Sequence, residues 1–341
     1  MSAGEAASAA SHNASVAITP YDELTDLGKA RRHRITVQRA LALYDLRAAH
    51  ISQLAVHTNF VFRVTTRDGR RFALRVSRNG LHDSKRTDLE LWWISRLAAD
   101  GLPVAAAVAN ADGALVTSVP ATEDVPEPHR CVLFEWLPGR DCDDGPLPFW
   151  SALGELTAQL HVHAAGLAPP AGLPAPRWDS VFAYEEPVLF AARFEGVITS
   201  SLRVVLERGI EELDTGLAHR YLGGTELRLL HGDLHDGNVR SYRGRLSVFD
   251  FEDVIVGHPA HDLAVLLYGP YYNREDLADI ARATRDGYER VAPWPIDDVS
   301  DLADLFAARA LGLVNFCVTM GPEYHDYVNV LTGRVERFLL G

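Results

Sequence analysis

The residues best placed to do chemistry lie in one stretch, LLHGDLHDGNVRSYRGRLSVFDFEDVIVGHPAHD, residues 229–262. Two leucines read as the end of a buried strand and run into His231-Gly232-Asp233. Asn238 stands five residues after Asp233, and a second apolar strand (Leu246, Val248, Phe249) runs into Asp250. An Arg-Gly-Arg turn at 243–245 is expected to bring the two strands together, so that both carboxylates and the amide come from adjacent strand ends. An H-x-D-x-x-x-x-N arrangement followed after a hairpin by D-F is the part list of phosphoryl transfer. One Asp orients an acceptor hydroxyl and takes its proton, while an Asn and a second Asp hold Mg²⁺.

On these motifs the chain resembles the aminoglycoside/choline phosphotransferase family, small-molecule kinases with a protein-kinase-like fold. The Asp262-Leu263-Ala264 that follows Gly257-His258-Pro259 sits where that family starts a helix with D-L-A, and Leu160-His161 matches its L-H helix. The likeness covers roughly residues 50–320 and rests mainly on 231–264. It implies an α+β, bilobal, protein-kinase-like fold with a small β-rich N-lobe and a larger, mainly helical C-lobe. It also implies ATP and Mg²⁺ as cofactors. Asp233 is then the catalytic carboxylate, and Asn238 and Asp250 are the metal ligands. His231 packs beneath the loop, and Asp262, at a helix start, accepts hydrogen bonds from the loop backbone.

Elements that position these groups are legible from spacing. Thr36–Tyr44 carries a helical pattern, with Thr36 as its expected cap. Phe60–Val64 and Phe72–Val76 read as a hairpin around Arg67-Asp68-Gly69-Arg70. In the family this pair covers the nucleotide, and its basic residue, here Arg75, meets the phosphates. Many relatives carry lysine there; arginine neutralises phosphate bidentately and with a different geometry. On the following helix, Asp83–Ala99, Glu90 flanks an apolar stripe of Leu89, Trp93 and Leu97, and a carboxylate so placed needs a partner. Arg75 is the expected one. The loop before Phe60 holds no glycine, and Thr58 and Asn59 are the candidate phosphate donors there. A second hairpin is expected about Asp112-Gly113. The strand Cys131–Phe134 leads to Glu135-Trp136, the hinge segment that in the family lies along the adenine. Residues 166–187 are Pro-rich, and Trp178, Asp179, Tyr184, Glu185 and Glu186 are expected as an aromatic and acidic wall for an amine-bearing acceptor.

Length and composition bound the rest. A chain of 341 residues is long enough for two lobes, and 47% hydrophobic with 23% charged residues is ordinary for a globular enzyme. Residues 1–130 hold 16 basic and 14 acidic residues, whereas 131–341 hold 17 and 32, so the net −13 falls on the second half. That balance argues against nucleic acid and anionic membrane as partners and suits a small-molecule hydroxyl substrate carrying amines. No unbroken run of about 18 apolar residues appears. The N-terminal MSAGEAASAASHNASVA reads as a disordered tail rather than a secretory signal. Cys131, Cys142 and Cys317 are widely spaced, which fits free thiols in the cytoplasm. The expected divisions are a tail at 1–20, an N-lobe at 21–134 and a C-lobe at 135–341. Two other readings keep the fold: a bacterial Ser/Thr protein kinase, and a nucleotide-binding pseudokinase or scaffold. An intact Asp233–Asn238–Asp250 set opposes the latter.

Overall fold

The computed structural model describes residues 19–78, 84–142, 145–173, 175–183, 187–220 and 227–341. Most of the expected tail, and the candidates Tyr184, Glu185 and Glu186, lie outside the described residues.

Helix α1, Asp26–Leu41, starts ten residues earlier than its spacing suggested, because Thr25 is the cap: its Oγ1 accepts from the Gly28 N–H at 3.2 Å. Thr36 is instead buried mid-helix. The buried face of α1 (Ala30, His33, Val37, Ala40) was hidden by the charges interleaved at 29–34. Strands β1 (Ala48–Val56), β2 (Asn59–Thr66), β3 (Arg71–Ser77), β4 (Ala107–Val108), β5 (Val116–Val119) and β6 (His129–Glu135) form one antiparallel sheet in the order β1-β2-β3-β6-β4. β5 also pairs with β6, so the Asp112-Gly113 turn is no hairpin between partners. The chain leaves and rejoins the same edge of β6, with Ala107 opposite Phe134 and Val116 opposite Val132. Strand alternation sends Phe72, Leu74 and Val76 into the core under α1 and leaves Ala73 and Arg75 facing the cleft. Helix α2, Ser84–Ala99, turns Leu89, Trp93, Ile94 and Leu97 toward the helical part of the molecule, where Trp93 meets Phe251 edge-on.

That part contains α3 (Leu147–Ala164), α4 (Ser200–Arg220), β7 (Arg228–Leu230), β8 (Val239–Tyr242), β9 (Arg245–Val248), β10 (Ile255–Gly257), α5 (Ala260–Asn273), α6 (Leu277–Tyr288), α7 (Ala303–Met320) and α8 (His325–Leu340). The 243–245 turn joins β8 to β9, with Arg243 and Gly244 both at positive φ, as a tight hairpin requires. It does not bring β7 to β9. The partner of β7 is β10, with Leu230 opposite Ile255. The loop after β7 and the segment between β9 and β10 are therefore neighbours through the β7–β10 pair.

Among the described residues one helical stretch, Val299–Met320, is long and apolar enough to cross a membrane, with mean hydropathy 1.5. It is largely buried: Phe306, Leu311 and Val314 sit in the main core, and Arg309 breaks the apolar run on its cleft side. Gly154 and Gly287 bring α3 and α6 into backbone contact. A Cβ on Gly154 would lie 2.0 Å from the Thr284 carbonyl oxygen, and one on Gly287 would lie 1.8 Å from that of Ser151. Gly287→Ala is expected to cost roughly 1–3 kcal/mol or more in denaturant unfolding, as overpacking of a rigid contact does. Gly216→Ala, on α4 with open space around it, should stabilise by about 0.5–1 kcal/mol. Equal effects at the two positions would refute the close-contact account.

Candidate active site

The loop between β7 and β8 is held from below by one carboxylate. Asp262, in the first turn of α5 and fully buried, accepts the His231 N–H at 3.0 Å and the Gly232 N–H at 2.9 Å. Its Oδ2 also meets His161 Nε2 of α3 at 3.1 Å, and His161 Nδ1 lies 2.9 Å from the Tyr288 hydroxyl on α6. Burial alone would raise the Asp262 carboxyl, but His161, His231 and the loop amides hold it below the usual carboxylate range. Gly232 has φ +82°, and a Cβ there would sit 2.0 Å from the Asp253 carbonyl oxygen, so only glycine fits. His231 is buried against Phe251, and burial pushes its pKa down. The neutral ring donates from Nε2 to the Phe249 carbonyl at 3.0 Å and accepts the Asp233 N–H at Nδ1, 3.3 Å away.

Above this base the three predicted groups converge. Asn238 Nδ2 donates to the Asp233 carbonyl at 2.8 Å and to Asp233 Oδ2 at 3.0 Å. Both partners are acceptors only, so the amide orientation is forced and Oδ1 is the atom left for a cation. Arg309 of α7 donates from Nη2 to Asp233 Oδ1 at 2.7 Å, and His235 Nε2 lies 3.5 Å from Asp233 Oδ2. Burial works against the Asp233 charge; Arg309 and His235 outweigh it and hold the carboxyl well below its ordinary value. Asp250, at φ +67°, opens onto the cleft. Its side chain stays accessible from there, yet the protein packed around it, with Glu252 next, pushes its carboxyl well above the usual range. It makes no ion pair among the described residues. A carboxylate held in a strained conformation without an ion pair, on the cavity that also holds Asp233, suits a hard divalent cation.

Arg75 forms the expected bidentate pair with Glu90, at 2.9 and 2.6 Å. A third member was not foreseen at Arg75: its Nη1 also donates to Glu252 Oε1 at 2.7 Å. Burial disfavours the Arg75 charge, but the two acids more than restore it. Asn59 also gives its amide to Glu252 and lies within 3.4 Å of Thr58 Oγ1, so its donors are engaged within the protein. Arg86 of α2 ties the next residues, donating to the Glu252 carbonyl at 2.7 Å and to Asp253 Oδ1 at 2.8 Å.

Two cavities meet here. One, of about 440 Å³, runs under the sheet between Ala73, Ala105, Phe134 and Leu137 and reaches Arg75 and Asp250; Thr58, Asn59, Glu135 and Trp136 also line it. The Glu135 N–H is committed to the Ala106 carbonyl at 2.8 Å, and the Trp136 ring lies under Arg71 and Arg240. The other, of about 430 Å³, holds Asp233, His235 and Arg309. Both are walled by His57, Thr58, Asp250 and Glu252. Of the expected amine wall, Trp178 lines the second cavity, whereas Asp179 turns to Arg177 at 3.3 Å and does not. Arg309, Arg86 and His235 were missed as site residues. Glu252 and Arg309 find their partners 177 and 76 positions away, beyond any local pattern.

The geometry at His235 yields a pH signature. Burial would lower its pKa, but Asp233 and Asp236 raise it from 6.5 to about 9. Its contribution to stability is therefore complete below about pH 6.5 and lost as pH rises through about 9. The wild-type melting temperature should fall between pH 6.5 and 9 more steeply than that of His235→Asn; parallel profiles would contradict the ion contact with Asp233.

Comparisons with known proteins bear on the fold and the family. A protein of Deinococcus radiodurans is 27% identical over 326 residues, spanning 89% of this chain and 92% of its own. Amicoumacin kinase of Bacillus subtilis is 24% identical over 247 residues, 71% of this chain and 70% of that one. The structure of an amicoumacin kinase in complex with AMP-PNP and Ca²⁺ superposes with a TM-score of 0.74 at 22% identity, covering 92% of this chain and 95% of the other. A microcompartment-associated aminopropanol kinase gives 0.72 at 23%, covering 90% and 98%. These likenesses establish the protein-kinase-like fold. Residues 50–294 match the profile of the phosphotransferase enzyme family, and the chain belongs to that family, as a hydroxyl-directed kinase.

Proposed function

We propose that the protein transfers the γ-phosphoryl group of ATP to a hydroxyl of a small molecule, in a Mg²⁺-dependent reaction in the cytoplasm. The observation that carries this reading is the convergence at the junction of the two cavities. Asn238 fixes Asp233 from one side, and Asp250 faces both spaces and makes no ion pair among the described residues.

The cavity under the sheet suits the nucleotide. Ala73, Ala105, Phe134 and Leu137 offer a flat apolar slot for a purine, and Arg75 lies at its inner end, where phosphates would arrive. To contact them Arg75 must share or release Glu252 while Glu90 keeps its side chain extended, since a guanidinium has donors for both. Bound at Asn238 Oδ1 and Asp250, Mg²⁺ would neutralise phosphate oxygens as charge develops on them. The second cavity delivers the acceptor hydroxyl to Asp233. As the bond from the γ-phosphorus to its bridging oxygen breaks and a bond to the hydroxyl oxygen forms, Asp233 accepts the hydroxyl proton. ADP and the phosphate ester leave. A carboxylate held below its usual pKa is a weak base, which a loose transition state tolerates because the proton moves late. Arg309, Asn238 and His235 act on the orientation and charge of Asp233.

A space of about 430 Å³ behind the catalytic loop favours a small molecule over a folded protein segment as acceptor. Three buried, free cysteines suit a reducing compartment.

Asp233→Asn keeps the shape and the Asn238 contact but removes the proton acceptor. Acceptor-dependent ADP formation should fall by about 10²–10⁴-fold while ATP affinity by calorimetry stays within about twofold. Wild-type turnover in the variant would overturn the role given to Asp233.

A further inference from the structure

The acceptor cavity is built differently from a site that reads an amine. Of the four carboxylates that line it among the described residues, three are matched by arginines: Asp233 by Arg309 at 2.7 Å, Glu252 by Arg75 at 2.7 Å and Asp253 by Arg86 at 2.8 Å. The fourth, Asp250, is the one the phosphate end of the reaction needs. An ammonium placed beside the reacting hydroxyl would instead meet the Arg309 guanidinium. Like charge there opposes an amine rather than attracting it.

Away from the catalytic loop the wall is apolar and firmly anchored. Arg309, Leu313 and Phe316 follow one another at i, i+4 and i+7 on α7, so one helix face carries the cation next to Asp233 and then two apolar side chains along the cavity. Opposite stand Trp178, Val181 and Phe182. The Trp178 N–H donates to the Val256 carbonyl at 2.9 Å, and its ring lies on His261 with centroids 4.5 Å apart. The Val181 N–H donates to Asp214 of α4 at 2.7 Å. Aromatic and aliphatic surface pinned on two sides is suited to an apolar body.

We infer that the acceptor is an alcohol attached to an apolar, ring-sized body, held between Trp178, Phe182, Leu313 and Phe316, and that an amine is not what the site selects. The inference rests on the phosphotransferase reading and narrows its substrate class. It departs from the amine-bearing acceptor expected from the acidic second half of the chain. In the cleft, three of those acids are matched by internal arginines.

The test measures ADP formation by the full chain with Mg²⁺-ATP and three probes: phenethyl alcohol, ethanolamine and kanamycin. The expected kcat/KM for phenethyl alcohol exceeds the other two by about tenfold or more, the scale on which pocket contacts of this kind discriminate. Phe316→Ala should raise the KM for phenethyl alcohol with a smaller change in kcat. Leu313→Glu, which adds an unmatched carboxylate, should shift the preference toward ethanolamine. Melting curves establish that both variants are folded. Preference of the wild type for ethanolamine or kanamycin overturns the inference, as does an unchanged preference in both folded variants. So does a failure of all three probes to raise ADP formation above Mg²⁺-ATP hydrolysis, although the persisting hydrolysis leaves the phosphotransferase reading standing. Absence of any nucleotide turnover removes both.

Discussion

Matching of charge in the cleft is the constraint on which the rest of the structure depends. Charged groups taken from water are costly unless each is met by an opposite charge or by hydrogen bonds. Asp262 is met by His161 and two loop amides, Asp233 by Arg309 and Asn238, Glu90 and Glu252 by Arg75, and Asp253 by Arg86. Each match joins separate elements: α5 to α3 and the catalytic loop, α7 to the loop, and the sheet and α2 to the segment after β9. The network that satisfies the acids thus also fixes the sheet over the helices and sets the two cavities edge to edge. Asp250 stands outside it, in a left-handed conformation with its carboxyl driven upward. Proteins concentrate such unrelieved strain where function needs it.

The turn over the cleft shows how this chain manages without glycines. β1 ends at Val56 and β2 starts at Asn59, so His57-Thr58 makes a minimal connection rather than a long flexible flap. The His57 N–H bonds across to the Asn59 carbonyl, and the Asn59 side chain goes down to Glu252. A short turn tied to the segment after Asp250 replaces a backbone cradle. Arg75 and Glu252 then link that turn to the inner end of the cavity under the sheet. In the proposed reaction, nucleotide entry has to re-divide Arg75 between Glu252 and phosphate.

What could be read in the sequence was whatever a local pattern encodes. His231, Asp233, Asn238 and Asp250 are spaced by one loop and one hairpin, and Glu90 falls at a helical interval that turns it to Arg75 on the preceding strand. The alternation around Phe72–Val76 placed β3, and the D-L-A start placed α5. What escaped depended on distant or cryptic partners. The partners of Glu252 and Asp253 are not legible until Arg75 and Arg86 are seen beside them. Arg309 reads as an interruption in an apolar helix until Asp233 is opposite. Thr25 was overlooked as a cap because the first turns of α1 are so heavily charged, and β7 was given the wrong partner because β10 is only three residues long.

The central claim is that Asp250 is the unmatched carboxylate kept for a divalent cation. Its most direct test is Mn²⁺ binding in the presence of ATP, followed by electron paramagnetic resonance, in the wild type and in Asp250→Asn. Asn tolerates the left-handed backbone and removes the charge. A carboxyl whose pKa is raised on folding destabilises the folded state when ionised, so the metal-free variant should melt no lower than the wild type. Its Mn²⁺ affinity should fall by about two orders of magnitude. Undiminished Mn²⁺ binding, or a variant that melts well below the wild type, would contradict the account.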